Sequence, residues 1–490
     1  MWCLQGRSRP VRLPMRVLLL NPPFREGIIR DNFCCHTAKA HYIWAPSDLL
    51  YLSGILNRPP FEVAVRDSVV EHDDWTSLLA WCEIRRPEVI ISLTSSASYG
   101  SDLQGLQRLK RQLGSQVFVI GNLPSFEPAR ILADHDWLDG VLHNFLDVRI
   151  AGFLLDQTAP PRSVSYRKPN GECHIGDVNA FDRADGPLDV PAPQHHLFPN
   201  AAYSTPLALQ HPQTTVLTAT GCPYACTFCI YGPMKLYRRT LASLEQEFDS
   251  CVANGIRELY VVDPTFNADL RFMREVCQLM IRKRYGLSWA CRIHPERVSL
   301  EDFHLLKAAG CHTIQIGAES GNAGTLKEIA PTKELDQIRH CFQLAKQAGL
   351  RTLGYFIIGH PNEDRDQTMR TIDFAIELDP FFASFSNYMP LNGTKSHETA
   401  LKCEHIDDDL RTFDLNGSPV EFKGAALDAG SRADLMRLAY RKFYLRPRQI
   451  MKYVRDFKNL PLYVRNGMHV VWNQVVLDRA NGQARTTRSA

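Results

Sequence analysis

Short apolar runs alternate with longer amphipathic stretches through the first third of the chain. The apolar runs, each of strand length, cover residues 17–20, 62–66, 88–93, 116–121 and 140–142. The stretches between them have helical character and lie near residues 48–57, 74–86, 101–113 and 127–134. Alternation at this spacing predicts a doubly wound parallel sheet, a Rossmann-like α/β domain over residues 15–150.

Polar and glycine-rich loops follow several of the predicted strands of this domain. A doubly wound sheet binds its ligands at the carboxyl ends of the strands. We therefore predict that cofactor contacts come from the loops at these ends, through Asn21, Thr94, Ser95, Gly121 and Asn122. The pattern alone leaves open which cofactor is bound, because a fold does not give a function.

A second alternation begins after a proline-rich segment. Residues 151–210 are interrupted by prolines and predict a linker between domains. Predicted strands then lie near 214–220, 258–262, 288–292, 312–317, 351–358 and 383–387, and the helices near 243–254, 269–285, 300–309, 333–348 and 364–377, with the sixth helix undefined. Six strand–helix pairs predict a partial, (β/α)6 barrel of the TIM type over residues 211–395, with its active site at the carboxyl ends of the strands.

The two ends of the chain lack this alternation. Residues 1–14 are basic and unpatterned and predict a disordered tail. Residues 396–430 are polar and irregular, whereas 431–457 read as amphipathic helix, so that 396–490 predict a helical carboxyl-terminal region.

Composition narrows the class of protein. The chain has 490 residues, 44% of them hydrophobic and 22% charged, as in a globular protein of two or three domains. The 56 basic and 53 acidic residues leave a net charge of +3, which predicts no nucleic-acid partner. No apolar run approaches the ~18 residues of a transmembrane helix, and no secretory signal is recognisable, so we expect a cytoplasmic protein without disulfides.

The strongest chemical signal is a group of cysteines directly after the first barrel strand. Cys222, Cys226 and Cys229 form a C-x3-C-x2-C cluster. Three thiolates fall one short of a structural zinc site, but they can hold three irons of a [4Fe-4S] cluster and leave the fourth iron open. On spacing alone, zinc with a distant fourth ligand such as Cys251 or His211, or pairing in disulfides, stays open.

With the aromatic Phe228 before the last cysteine, this motif resembles that of the radical S-adenosylmethionine (SAM) enzymes. The amino-terminal segments "RVLLLNPPF", "PSDLLYLSGIL" and "VFVIGNLPSFEP" resemble the cobalamin-binding domain that precedes many radical SAM domains. The resemblance implies three cofactors: a [4Fe-4S] cluster, SAM and cobalamin. The family's Gly-Gly-x-His-Pro-Thr is Gly121-Asn122-Leu123-Pro124-Ser125 here, and no D-x-H-x-x-G occurs to supply a cobalt-binding histidine. A degenerate domain that only packs against the barrel is the alternative.

The same resemblance suggests roles for residues at the other strand ends. Asp263 and Arg292 match positions near the amino and carboxylate groups of SAM, and Glu319, followed by Ser320, matches an acidic position beside it. Gly359 lies in the segment that resembles the one packing the adenine. Alternatively, Arg292 and Glu319 pair with each other, and Gly359 serves only as a tight strand end.

The carboxyl-terminal "KFYLRPRQI" resembles the subgroup that includes anaerobic magnesium-protoporphyrin cyclase, hopanoid-modifying enzymes and carbon methylases. The resemblance implies an enzyme that cleaves SAM to a 5′-deoxyadenosyl radical. We predict cobalamin-dependent methylation of an unactivated carbon in a small-molecule substrate, with electrons from an external flavodoxin or ferredoxin. Radical oxidative cyclisation or ring rearrangement, a methylthiotransferase, and a corrinoid carrier without catalysis remain the alternatives.

Overall fold

The computed structural model describes residues 14–24, 27–31, 35–38, 42–177, 186–232, 234–407, 414, 419–456 and 459. The predicted tail therefore lies almost wholly outside the described residues, as does the chain after 459. The amino-terminal strands are β1 Met15–Asn21, β2 Ile28–Arg30, β3 Cys35–Thr37, β4 Phe61–Asp67, β5 Val89–Leu93, β6 Gln116–Ile120, β7 Gly140–Leu142, β8 Val164–Arg167 and β9 Cys173–His174. The helices are α1 Ser47–Ile55, α2 Trp75–Arg85, α3 Tyr99–Leu113, α4 Asn122–Phe126, α5 Pro128–Asp134 and α6 Ile150–Leu155.

The amino-terminal sheet is doubly wound, as the alternation predicts. Its seven strands run in the order β4-β1-β5-β6-β7-β8-β9, and the first five pair in parallel. The central strand β5 is buried along its whole length, because helices cover both faces of the sheet. This explains why its sequence is a continuous apolar run. β2 and β3 form a separate antiparallel pair beyond the end of β1.

The segment predicted as a linker contains regular secondary structure. Residues 151–210 include most of α6 and the strands β8 and β9, which extend the sheet in antiparallel pairing from β7. The predicted boundary at residue 150 thus coincides with the first residue of α6. Prolines 160 and 161 lie just before β8 and outside its ladder, where a missing N–H costs nothing. A short strand that depends on pairing with β7 leaves little local signal in the sequence.

The second domain is the predicted partial barrel. Its strands are β10 Gln213–Val216, β11 Ala219–Thr220, β12 Tyr237–Arg238, β13 Glu258–Val261, β14 Ser288–Ile293, β15 Cys311–Glu319, β16 Arg351–Ile358 and β17 Phe382–Asn387. Six of them pair in parallel in the order β10-β13-β14-β15-β16-β17, and β11 and β12 form a small antiparallel pair. The helices are α7 Leu241–Ala253, α8 Leu270–Lys283, α9 Leu300–Ala308, α10 Ala323–Ile329, α11 Leu335–Gln347, α12 Arg365–Leu378, α13 Lys395–Lys402, α14 Ala429–Tyr444 and α15 Pro447–Arg455.

The sixth helix of the barrel comes from the carboxyl-terminal region. After β17 the chain passes through α13 and returns as α14, which packs against α12 and β17. The Tyr440 hydroxyl bonds the backbone of Phe385, and the Tyr444 hydroxyl bonds the backbone of Ala383. The predicted carboxyl-terminal helices therefore complete the barrel instead of forming a separate unit.

The two domains share buried surface. Tyr260 and Val262, from β13 and its end, belong to the same apolar cluster as Trp44 and Leu49 of the amino-terminal domain. The Tyr51 hydroxyl of α1 accepts a bond from Leu217 N–H at 2.7 Å and contacts the buried Arg239–Glu247 ion pair. In the described part of the chain, no helix has both the length and the hydrophobicity to cross a membrane.

Candidate functional site

The cysteine loop lies at the carboxyl end of β10. Antiparallel pairing of β11 with β12 holds together the two ends of the loop between them. Gly221 begins the loop at φ +79°, and a Cβ there would lie 2.0 Å from the carbonyl oxygen of Lys235. Only glycine fits this approach.

Cys222, Cys226 and Cys229 are free, partly buried thiols. Burial raises the pKa of Cys226 to about 11 and that of Cys229 to about 12, and the charge of Cys226 further raises the pKa of Cys229. Such thiols become thiolates at neutral pH only beside added positive charge, which the irons of a cluster provide. The donor set therefore fits a [4Fe-4S] cluster. Among the described residues, no three His, Cys, Asp or Glu side chains surround one metal-ion position.

The distant zinc ligands considered above have other surroundings. Cys251 is buried on α7 with its Sγ 3.4 Å from His195 Nε2. His211 is exposed before β10. The cysteine loop instead contacts α10 and α13: Thr227 N–H bonds Ile329 O at 2.8 Å, and Ser396 N–H bonds Thr227 O at 2.9 Å.

Tyr224, between the first two cysteines, stacks on His294 after β14. The ring centroids are 3.5 Å apart and the planes differ by 8°. Reciprocal backbone–side-chain bonds with Asn267 fix the position of His294. Burial, assisted by the positive Lys333, lowers the pKa of His294 to about 3, so its imidazole is neutral. Sequence reasoning missed this histidine, although it directly follows a predicted strand end.

Glu319 lies at the end of β15 with φ +60° and pairs with Lys333, not with Arg292. Lys333 Nζ is 2.7 Å from Glu319 Oε1 and 2.8 Å from Gly317 O. The side chains of Lys333 and Glu319 are 5% and 10% exposed. Although burial lowers the pKa of Lys333, the charges of Glu319 and of the nearby Cys226 outweigh it and leave the pKa raised. Lys333 was missed because it lies in the loop after α10, far from any strand end.

The Arg292 guanidinium lies over the Tyr260 ring at 5.3 Å. It donates to the Tyr260 hydroxyl at 2.9 Å and to Val262 O at 3.0 Å. Arg292 is thus held at the inner face of the barrel, on β14, which ends just before His294.

Asp263, just after β13, bonds the chain near the start of β11. Its buried carboxylate accepts bonds from Thr218 N–H at 2.6 Å, from the Thr218 hydroxyl and from Ala219 N–H at 3.1 Å. Burial raises the pKa of Asp263 to about 6. The side chain joins the end of β13 to the chain between β10 and β11, and its contact with SAM stays a prediction.

Ser320 and Gly359 also have contacts within the protein. The Ser320 hydroxyl lies 3.1 Å from Thr371 Oγ1 and accepts a bond from Asn322 N–H at 3.0 Å. Gly359 has φ +86°, and a Cβ there would lie 2.7 Å from Cδ of Arg432 on α14. The segment after β16 is therefore packed against the helix that closes the barrel.

The predicted cobalamin contacts are brought together at the carboxyl edge of the amino-terminal sheet. Four of the five residues are at most 5% exposed: Asn21, Thr94, Ser95 and Asn122. Gly121, the fifth, is also buried. A Cβ on Gly121 would lie 1.9 Å from Thr94 O, so the loops after β5 and β6 touch at this glycine. Ser96 N–H bonds Asn122 Oδ1 at 3.1 Å and fixes these loops further.

A buried ion pair that sequence reasoning missed supports this edge. Arg30 Nη2 bonds Asp102 Oδ1 at 2.8 Å, and Nη1 bonds Asn21 Oδ1 at 2.8 Å. The Thr94 hydroxyl bonds the other oxygen of Asp102 at 3.0 Å. Because these side chains bond inward, the loops present mainly backbone groups to a ligand.

This edge faces the carboxyl end of the barrel. Phe126 of α4 packs on Gly393 after β17, where a Cβ would lie 2.2 Å from the Phe126 ring. Gly393 has φ +82°. The cysteine loop, through Thr227, contacts Ser396 at the start of α13, and the amino-terminal edge, through Phe126, contacts Gly393 three residues earlier. A cofactor at the amino-terminal edge fits this arrangement, because it would reach across to the barrel mouth.

Comparison with known proteins agrees with this architecture. Residues 216–375 match the family described as the radical SAM superfamily. A Pyrococcus horikoshii protein described as an uncharacterized methyltransferase is 25% identical over 89% of this chain and 94% of its own length. The anaerobic magnesium-protoporphyrin IX monomethyl ester cyclase of Rubrivivax gelatinosus is 21% identical over 88% of this chain and 78% of its own. The radical SAM methyltransferase TsrM from Kitasatospora setae, solved with cobalamin and a [4Fe-4S] cluster, has a TM-score of 0.61 and 18% identity over 81% of this chain and 80% of that one.

Proposed function

We propose that this chain, whose residues 216–375 match the radical SAM superfamily, is a cobalamin-dependent methyltransferase acting on an unactivated carbon of a small molecule. The observation that carries the proposal is the short stretch from Gly393 to Ser396 at the start of α13, which contacts both the cysteine loop and the carboxyl edge of the Rossmann-like domain. A radical generator and a methyl carrier would have to meet at such a junction.

Three thiols would hold the cluster: Cys222, Cys226 and Cys229. When bound, the cluster supplies the electron that cleaves SAM to a 5′-deoxyadenosyl radical, and cobalamin supplies the methyl group. Lys333, paired with Glu319, places a buried cation near Cys226, and its charge opposes the larger effect of burial on the pKa of that thiol. The Tyr224–His294 stack places a neutral imidazole beside the cysteine loop.

The remaining residues of the proposed site act by position. Arg292 lies on the inner face of the barrel and could meet the carboxylate of SAM if it exchanged its carbonyl contact with Val262 for that group. Asn21, Thr94, Ser95, Gly121 and Asn122 would shape the cobalamin edge through backbone groups. We further propose that an external flavodoxin or ferredoxin supplies electrons and that the enzyme works in the reducing cytoplasm.

The fate of the SAM methyl group tests the proposal. Cells with and without this gene are fed methionine carrying a deuterated methyl group, and compounds that depend on the gene are compared by mass spectrometry. Methyl transfer predicts a gene-dependent compound that carries the intact label, and complementation with the Cys226→Ala chain should not restore it. A gene-dependent compound without label would contradict methylation and favour radical cyclisation or rearrangement.

A second measurement uses the purified protein. After anaerobic reconstitution with iron, sulfide and cobalamin, reduction in the presence of SAM should yield 5′-deoxyadenosine. A methylase acting on its substrate should also yield S-adenosylhomocysteine. A protein that yields neither product from SAM would contradict the enzyme assignment and favour a carrier.

A further inference from the structure

A line of polar side chains crosses the inside of the barrel below the level of the cysteine loop. Gln315 of β15 accepts bonds at Oε1 from the Tyr260 hydroxyl at 3.2 Å and from the Tyr355 hydroxyl at 2.5 Å. Tyr260 lies on β13 and Tyr355 on β16, so three strands contribute. Two phenol donors on the same oxygen fix the amide plane and direct the NH2 group of Gln315 away from them.

That NH2 group lacks a protein partner. Gln315 is 1% exposed, and among the described residues its Nε2 atom makes no hydrogen bond. A buried donor without an acceptor is costly and rare in folded proteins. An acceptor from outside the protein is therefore expected at this position.

A second orphaned donor comes from the other domain. Trp44, from the segment before α1, lies against Tyr260 with ring centroids 5.2 Å apart. It is 7% exposed, and within the described part of the chain its Nε1–H also lacks a hydrogen-bond partner. Tyr260 thus touches both residues whose donors are unsatisfied. Since both groups are N–H donors, a group that satisfies them must offer hydrogen-bond acceptors.

Charge and shape narrow the class of ligand. The Arg292 guanidinium bonds Tyr260 and brings a positive charge to the same wall, which favours an anionic acceptor. The rings of Trp44, Tyr260 and Tyr355 provide flat apolar surfaces, and Leu353 and Phe382 add partly buried apolar side chains to the same cluster as Trp44. A planar body with an acidic oxygen group would satisfy the donors and cover the rings.

We propose that the inside of the barrel binds the substrate by a carboxylate, which accepts hydrogen bonds from Gln315 Nε2 and Trp44 Nε1 while its planar apolar body lies against Tyr260 and Tyr355. This inference rests on the proposed function, because it assigns the substrate class of that same site. Ordered water bridging the two donors is the competing occupant.

The test measures binding of 2-naphthoate, 2-naphthamide and naphthalene to the full-length reconstituted protein by ligand-observed NMR under anaerobic conditions. 2-Naphthoate should bind at least about 10-fold more tightly than 2-naphthamide, because only the acid carries the charge. Equal binding of acid and amide, or no binding of the acid, would overturn the proposal.

Two substitutions locate the binding. Gln315→Glu keeps an acceptor for both phenols but replaces the NH2 donor with an oxygen, so 2-naphthoate should bind at least about 10-fold more weakly. Trp44→Phe removes only the indole donor from a similar ring and should weaken binding several-fold. Gln347→Glu, at an exposed position of α11, is the matched control and should bind like the unmodified protein. Unchanged affinity for 2-naphthoate in both Gln315→Glu and Trp44→Phe would exclude this site.

Failure of this inference can be told apart from failure of the proposed function. Formation of 5′-deoxyadenosine from SAM by the unmodified protein is measured on the same samples without any naphthalene probe. If 5′-deoxyadenosine forms but 2-naphthoate does not bind more tightly than 2-naphthamide, the proposed substrate class is wrong and the proposed enzyme class stands. If 5′-deoxyadenosine does not form but 2-naphthoate binds through Gln315 and Trp44, the binding site stands without the proposed chemistry.

Discussion

Lys333 Nζ lies 2.7 Å from Glu319 Oε1, and the pair is buried next to the cysteine loop. Neither residue belongs to the cysteine motif, yet their charges act on the pKa values of its thiols. The pair joins the end of β15 to the loop after α10 and lies on one side of the proposed cluster.

Removing the cation from this pair should destabilise the fold. Lys333→Met leaves the Glu319 carboxylate buried without a counter-charge, which costs about 3–5 kcal/mol of unfolding free energy. Iron content per chain should fall as well. Urea unfolding and iron analysis measure both. The double variant Lys333→Met/Glu319→Gln should recover most of the stability. Lys327→Met, in an exposed pair with Glu334, should change neither quantity; an equal loss in the double variant would contradict the pairing.

Each motif cysteine should be needed for the cluster. Replacing Cys226 with Ser removes one of three iron ligands, so the reconstituted chain should lose its SAM-responsive low-temperature EPR signal. Cys403→Ser, which changes an exposed free thiol, is the control and should keep the full signal. A full cluster in Cys226→Ser would disprove the ligand assignment.

Asp263 should act on stability and not on SAM affinity. Asp263→Asn replaces one carboxylate oxygen with an NH2 group, which then faces the N–H of either Thr218 or Ala219, and this should cost about 1–3 kcal/mol of stability. The dissociation constant for SAM, measured by calorimetry on the folded fraction, should stay unchanged. Weaker SAM binding at unchanged stability would instead support the role predicted from the sequence.

Gly359 should tolerate no side chain. Gly359→Ala meets both a left-handed backbone, costing about 1 kcal/mol, and Cδ of Arg432 at 2.7 Å, whose displacement costs about 1–3 kcal/mol more. Gly424→Ala is a matched control, because its φ is +71° but no atom lies within 4 Å of the added Cβ. Thermal unfolding of the two variants separates the cost of the left-handed backbone from the cost of the contact with Arg432. Equal destabilisation of the two variants would show that Arg432 moves aside without cost.

Asp67 should make part of the stability depend on pH. Burial raises the pKa of Asp67 from 3.8 to about 6 even though its carboxylate accepts bonds from Asn21 and Tyr203. The folded chain therefore holds this proton more tightly than the unfolded chain, so the stabilisation is present at low pH and declines as the pH rises. Between pH 5 and pH 7 the decline should be about 1.4 kcal/mol.

Urea unfolding at several pH values checks this dependence. Asp67→Asn should lack this part of the pH dependence, whereas Asp336→Asn, at an exposed position of α11, should retain it. A wild-type dependence identical to that of Asp67→Asn would contradict the raised pKa.

Much of the fold and the central motif follow from local sequence pattern. Short apolar or β-branched runs predicted β1, β4, β5, β6 and β7 and the six barrel strands, because such residues favour the extended backbone of a strand. The cysteine spacing predicted the ligand type, because three thiolates separated by three and two residues belong to one loop wherever that loop is placed. These features depend on neighbours in the chain, and so one sequence suffices to find them.

Other features depend on contacts between distant segments. β8 and β9 needed an open sheet edge at β7, and α14 closed the barrel only after the chain returned from α13. The ion pairs Lys333–Glu319 and Arg30–Asp102 and the Tyr224–His294 stack join residues from separate elements. The resemblance predicted Asp263 beside SAM, and only the tertiary structure showed that its carboxylate accepts bonds from Thr218. The sequence alone determined which groups are available and where the strands end; only tertiary packing decided which side chains point into the site, because a side chain's direction and burial are set by the elements that close around it.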